Sequence, residues 1–253
     1  MWILIESWKP LAGLFVAMLL MIELGRYIGR RQRRADPEWD SRGVGALEST
    51  VLALLGLLLA FSFSGAWSRF DARRELILQE SNAIGTAWLR LDLLPAPARG
   101  RLHESFRSYV DLRIEATKGN EAKPSAAVTA AQQGIWTEAV AAALVSGDGR
   151  VAQTLLPTLN EMFDIATARY LAVEAHPPTV VFLMLLTIML LSALLAGYGM
   201  AGGRRRHWLH IGCFVVSLLL AIYVTIDLEY PRRGLVRVYK YDQLLIDLRA
   251  GMK

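Results

Sequence analysis

Side chains able to make or break bonds are few and scattered. The chain holds four histidines (His103, His176, His207 and His210) and one cysteine, Cys213. His207, His210 and Cys213 follow one another at three-residue steps, a spacing that suggests metal ligands. Steps of three drift around a helix, however, so the outer two diverge, and an interfacial histidine pair is the simpler reading. A single cysteine excludes an intrachain disulfide and a thiolate zinc site. There is no HExxH, no Walker or Rossmann glycine pattern and no serine in a nucleophile elbow. An enzyme is therefore the least favoured class, and no metal or cofactor is expected. The remaining polar candidates are structural in kind. Asn82, Asn160, Asp164 and Arg169 lie on otherwise apolar helical segments, and buried polar groups need partners, so they are expected to join in an interhelical network. The functional alternative places Asn82 or Asn160 on an ion pathway. Asp227 stands just before PRRG, where Arg232 or Arg233 is expected to pair with it or with lipid phosphate in a turn that returns the tail.

The elements that must position these groups are membrane helices. Of 253 residues 54% are hydrophobic, and the mean hydropathy is +0.33, an apolar balance that requires long stretches in lipid. Residues 179–203 contain no charge, and residues 208–226 contain no Asp, Glu, Lys or Arg. Each run reaches the roughly 20 residues that cross ~30 Å of hydrocarbon. Within residues 44–67 the only charge is Glu48, near the expected end of the second span, where a carboxylate can reach headgroups. The first span is uncharged only over residues 10–22, and its extension to Ile3 places Glu6, Lys9, Trp2 and Trp8 at the interface.

Between the second and third spans lies an insertion, residues 68–178, with twelve Lys/Arg against thirteen Asp/Glu. This near-balance excludes a nucleic-acid footprint. No proline interrupts residues 44–94, so the second span is predicted to run on as one helix of about 50 residues, ~75 Å at 1.5 Å per residue. Phe70, Ile77, Ile84 and Leu91 recur every seven positions, the spacing of a packed seam. Helices are predicted near residues 102–114 (Leu102, Phe106, Tyr109 and Val110 on one face), 126–145 and 155–173 (Leu155, Leu159, Met162, Phe163, Ala166 and Tyr170). Ser146-Gly-Asp-Gly149 breaks the chain between the last two. The expected fold is an all-α membrane protein of four transmembrane helices with a helical domain inserted between helices 2 and 3. The expected division is 1–67, 68–178, 179–228 and 229–253, the last packing on the helical domain.

Nine arginines (Arg26, Arg30, Arg31, Arg33, Arg34, Arg42, Arg204, Arg205 and Arg206) crowd the two loops that share a compartment. By the positive-inside rule they face the cytoplasm, which would put the insertion outside. The five from Arg26 to Arg34 read as topological and lipid-headgroup contacts.

LLGLLLAFSF (residues 54–63), followed by GAWSRFDARREL (residues 65–76), resembles the second transmembrane helix of the bestrophin channels. ELGRYIGR (23–30), ESNAIGTAWLRLDLLP (80–95), LLPTLNEMFD (155–164) and PRRGLVRV (231–238) resemble the bestrophin-like family of bacterial membrane proteins. The resemblance implies a pentameric ion channel of the bacterial inner membrane, with the second helix lining the pore. Arg69 is taken as the arginine of the family's Arg-aromatic pair. Counting back from it puts an apolar neck at Phe61, Leu57 and Ala53, with Arg69 and Arg73 at the pore mouth. Residues four apart share a helix face, and a ring of such faces can gate by dewetting. Only Asp227 and Glu229 follow the last span, so the calcium-binding acidic cluster of eukaryotic members is not matched. Bestrophins hold their insertion in the cytosol, opposite to the arginine count above. The expected function is a homo-oligomeric ion channel in a lipid bilayer, passing inorganic ions with anions slightly favoured. The competing class is a non-conducting scaffold or sensor whose helical domain binds a partner.

Overall fold

The computed structural model describes residues 8–35, 42–118, 124–203, 206–231, 234–236 and 239–253. Among these, every regular element is helical. The helices are α1 (Trp8–Ala35), α2 (Arg42–Arg90), α3 (Ala96–Lys118), α4 (Ala126–Val145), α5 (Gly149–Glu174), α6 (Thr179–Gly199), α7 (Trp208–Glu229) and α8 (Tyr239–Gly251). Short 3-10 turns at Leu91–Leu93 and Met200–Gly202 follow α2 and α6. Four helical stretches are long and apolar enough to cross a membrane: Lys9–Ala35, Gly45–Leu93, Gly149–Gly202 and Trp208–Glu229. The protein is an all-α membrane protein.

The chain divides into two compact units. The first comprises Met1–Ser68 and Pro177–Val236, and its core is made by Met18, Ile22, Leu55, Leu185, Met189 and Val215. Here α1 packs along α6 with almost nothing between the backbones. A Cβ on Gly25 would overlap the backbone carbonyl of Leu194, and one on Gly197 would overlap that of Ile22. One on Gly29 would fall 2.6 Å from the Ala201 Cβ. Gly25 and Gly29 form a G-x-x-x-G face, the small-residue spacing that lets membrane helices approach when no hydrophobic effect drives them together. α1 also outruns its apolar segment, continuing as helix through Arg26–Arg34 to Ala35.

The second unit comprises Arg69–His176 and Arg237–Lys253. Its core joins Ile84, Leu91, Leu102, Phe106, Tyr109, Ile135, Leu155, Leu159 and Met162 with Leu245 and Met252. The seven-residue series on α2 and the turn after it is buried, with Phe70 at 6%, Ile77 at 3%, and Ile84 and Leu91 at 0% exposure. Arg73, Glu80 and Ala87, interleaved at steps of three and four, are buried too, so the seam follows a full heptad rhythm. Gly147 ends α4 at φ 68°, a left-handed turn that glycine enters freely. Asp148 then caps α5, accepting from the Arg150 N–H at 2.9 Å. α5 begins six residues before the apolar stripe that predicts it and carries Pro157 inside. The tail helix α8 packs on α3, and its Arg249 pairs bidentately with Asp111 at 2.8 and 3.0 Å.

Candidate pore helix and its anchors

α2 presents two opposite faces. In the first unit Leu55 is 1% exposed, whereas Leu57 is 54% and Phe61 68% exposed, and Ala53 is exposed with them. The three expected neck residues therefore share one open line at four-residue steps. Ser64 and Ser68 continue that line, and both are exposed.

In the second unit the open line of α2 carries Asp71, Glu75, Gln79, Asn82 and Thr86. Asp71 accepts from Arg74 at 3.1 Å, and Glu75 accepts from Gln79 at 3.1 Å. Arg69 is half-buried. Arg73 has a task other than the expected one at a pore mouth. It is 7% exposed and donates to the carbonyls of Ala172 at 2.8 Å and Ala175 at 2.9 Å. These are carbonyls of the α5 terminus that lack helical donors, and a guanidinium there satisfies them and opposes the helix dipole.

Behind Arg73 on the seam, Glu80 is fully buried. Its Oε1 accepts from Arg113 Nε at 2.6 Å, and its Oε2 accepts from Arg169 Nη1. Arg113 also donates to the Tyr170 hydroxyl and lies over that ring at 4.8 Å. Arg169 reaches Asp242 of α8 at 3.8 Å. One carboxylate thus ties together α2, α3, α5 and α8. Burial pushes the Glu80 carboxyl up, but Arg169 and Arg113 outweigh it and hold the group below the usual carboxylate range. Burial pushes Arg113 the other way, and Glu80 more than reverses that, so the guanidinium is locked in its charged form. Tyr109 is held un-ionised by burial and by the Glu80 charge.

The expected polar network is therefore only partly the observed one. Arg169 belongs to it, and Glu80 and Arg113, which the apolar patterning passes over, form its centre. Asn82, Asn160 and Asp164 are exposed. Asn160 donates to Asp164 at 2.9 Å along one face of α5, and all three line an open furrow of about 700 Å³ with Gln79, Arg90 and Glu161. Asp227 lies in the first unit at 2% exposure. It accepts from the backbone N–H groups of Leu235 and Val236, both at 2.9 Å, and Gly234 lies so close that a Cβ would collide with the carboxylate. Asp227 thus anchors the turn through backbone donors. Arg232 lies outside the described residues, as do Arg204, Arg205 and Arg233. His207 and His210 stack edge to face at 5.7 Å between centroids, and among the described residues no cluster of three metal-ligating side chains occurs.

Structural comparison finds crystal structures of a bacterial bestrophin homologue from Klebsiella pneumoniae. One single-substitution form is 16% identical, with TM-score 0.66 over 92% of this chain and 98% of that one. Another is 18% identical, with TM-score 0.67 over 95% and 98%. A third structure, phased on zinc, is 18% identical, with TM-score 0.65 over 93% and 98%. At such identities the likeness establishes the fold. No curated protein matches the chain significantly. The sequence model of the bestrophin-like domain matches residues 12–241, nine-tenths of the length, and the chain belongs to the bestrophin-like domain family.

Proposed function

We propose that the protein is a homo-oligomeric ion channel whose pore is walled by α2, with its neck at Ala53, Leu57 and Phe61. The observation that carries this reading is the change of character along the open line of α2. A line that faced only lipid would stay apolar, because hydrocarbon offers polar groups no partners. This one already carries Ser64 within the span, one turn from Phe61, and continues beyond it to Ser68, Asp71 and Glu75. Apolar rings that gate by dewetting, followed by hydroxyls and charges that hold water and ions, are what a pore wall needs. Family membership fits the same reading, which sets five identical α2 helices around an axis in the inner membrane.

Charge on that line favours cations over anions, where the sequence leaves selectivity undetermined with anions slightly favoured. Arg73 is withdrawn to cap α5, Arg74 is spent on Asp71, and the exposed carboxylate of Glu75 faces only a neutral amide. Rings of carboxylates concentrate cations at a mouth. Arg69 stands at the boundary of the neck.

The polar furrow between α2 and α5 favours a second reading, in which the helical domain of a non-conducting scaffold or sensor holds a partner. Flux from proteoliposomes separates the two. Wild type passing monovalent ions, and Phe61→Ala passing them faster, is the result expected of a channel. Silence of both across pH, calcium and voltage rejects it, as does a particle image in which α2 lies away from the symmetry axis.

A further inference from the structure

We propose that Arg26 is the receptor for a phosphate group brought from outside the chain, the headgroup phosphate of an anionic lipid. Arg26 is one of five arginines that close α1, and it alone is sealed inside the first unit. It is 2% exposed, whereas Arg30, Arg31 and Arg34 are exposed. Its Nε and Nη2 are buried without a hydrogen-bond partner among the described residues. A guanidinium cannot shed its charge, so a buried one must find acceptors or cost several kcal/mol.

The described residues do not supply them. Ile22, Gly25 and Gly29 are clamped against Leu194, Gly197, Tyr198 and Ala201. Arg26 follows Ile22 by one helical turn on the same face, so its backbone is held by that seam. Glu23, an acid on the adjoining face, is taken by Arg206 at 3.1 Å. The carboxylate of Glu48 rests against Gly199. Around the buried cation, the exposed Arg30, Arg31 and Arg34 form a basic end that draws an anionic surface toward it. A phosphate presents several oxygens to a guanidinium fork, and a basic pocket between membrane helices is a known physical setting for an anionic headgroup.

The test uses the full chain, purified and delipidated in a neutral detergent, with thermal unfolding as readout. Phosphatidylglycerol is compared with phosphatidylcholine and with inorganic phosphate. Phosphatidylglycerol is expected to raise the midpoint, on the order of 3 °C near ten times its dissociation constant, while phosphatidylcholine does not. Arg26→Gln should lose that rise, and Arg150→Gln, an exposed arginine of the second unit, should keep it. Should Arg26→Gln fail to fold, Arg26→Lys keeps the charge without the fork and should show a reduced rise. An equal rise with inorganic phosphate alone overturns the lipid source. An unchanged rise in Arg26→Gln overturns the site. No rise in wild type, with strong coupling between Arg26→Gln and Glu48→Gln, assigns Arg26 to a protein carboxylate instead. None of these readouts depends on conduction.

Discussion

Glu80 of α2 and Arg113 of α3 meet at 2.6 Å with side chains 0% and 3% exposed. Arg169 approaches the other carboxylate oxygen, so a single buried acid bridges two cations. Removing Glu80 leaves the buried Arg113 without its counter-ion, and removing Arg113 leaves Glu80 with one of its two cations. Arg113→Met is expected to cost about 3–5 kcal/mol, read as a lowered unfolding midpoint. Glu80→Leu, which takes the counter-ion from Arg113 and leaves Arg169 to Asp242 at 3.8 Å, should be worse. An unchanged midpoint in either variant would contradict the network.

The same pair sets an acid limit. The Glu80 carboxyl titrates below its ordinary value of 4.5, so the unfolded chain binds the proton more readily than the folded one. Its contribution is complete above that ordinary value and is lost as pH falls through the depressed one. Unfolding midpoints of wild type and Glu80→Gln should differ most at neutral pH and converge on acidification below 4.5.

His103 gives a second pH dependence, nearer neutrality. It stacks on Trp88 at 4.1 Å between centroids, and burial holds its imidazole below the ordinary value of 6.5. Asp92, 3.8 Å away, opposes this, while Arg107 and Arg99 reinforce it. The neutral ring is the folded form, so this stability is present above 6.5 and declines as pH falls below it. His103→Phe keeps the stacking and should flatten the midpoint between pH 7 and pH 5.

At Asp227 two backbone N–H groups depend on one side chain. Asp227→Ala should cost about 2 kcal/mol and expose the chain after α7 to limited proteolysis. Gly234→Ala should do the same by a different route, since its Cβ would collide with the carboxylate. Equal protease resistance in the two variants and wild type would rule this anchor out.

Much of this architecture was legible in the residues. Charge-free runs mark α6 and α7, and the prolines absent from residues 44–94 foretell the unbroken α2. The seam positions 70, 77, 84 and 91 could be read because all four are apolar. Arg73 and Glu80 could not, since apolar patterning assigns charged residues to the wet flank. Only the alternating three-four step reveals them as seam members. Asn82 misled for the related reason. It lies two positions from Glu80, about 200° around the helix, and therefore faces out. Asn160 and Asp164 satisfy each other along one turn of α5 and need no interhelical partner.

The glycine seam between α1 and α6 bears on what can move. Gly25→Leu or Gly197→Leu would drive a side chain into a backbone and should abolish a stable protein. Gly13→Ala and Gly56→Ala meet nothing within 4 Å and should be silent. Where two rods touch main chain to main chain, there is no cushion of rotamers to slide on. They must travel as one body, and any opening stroke has to be taken up at joints upholstered with flexible side chains.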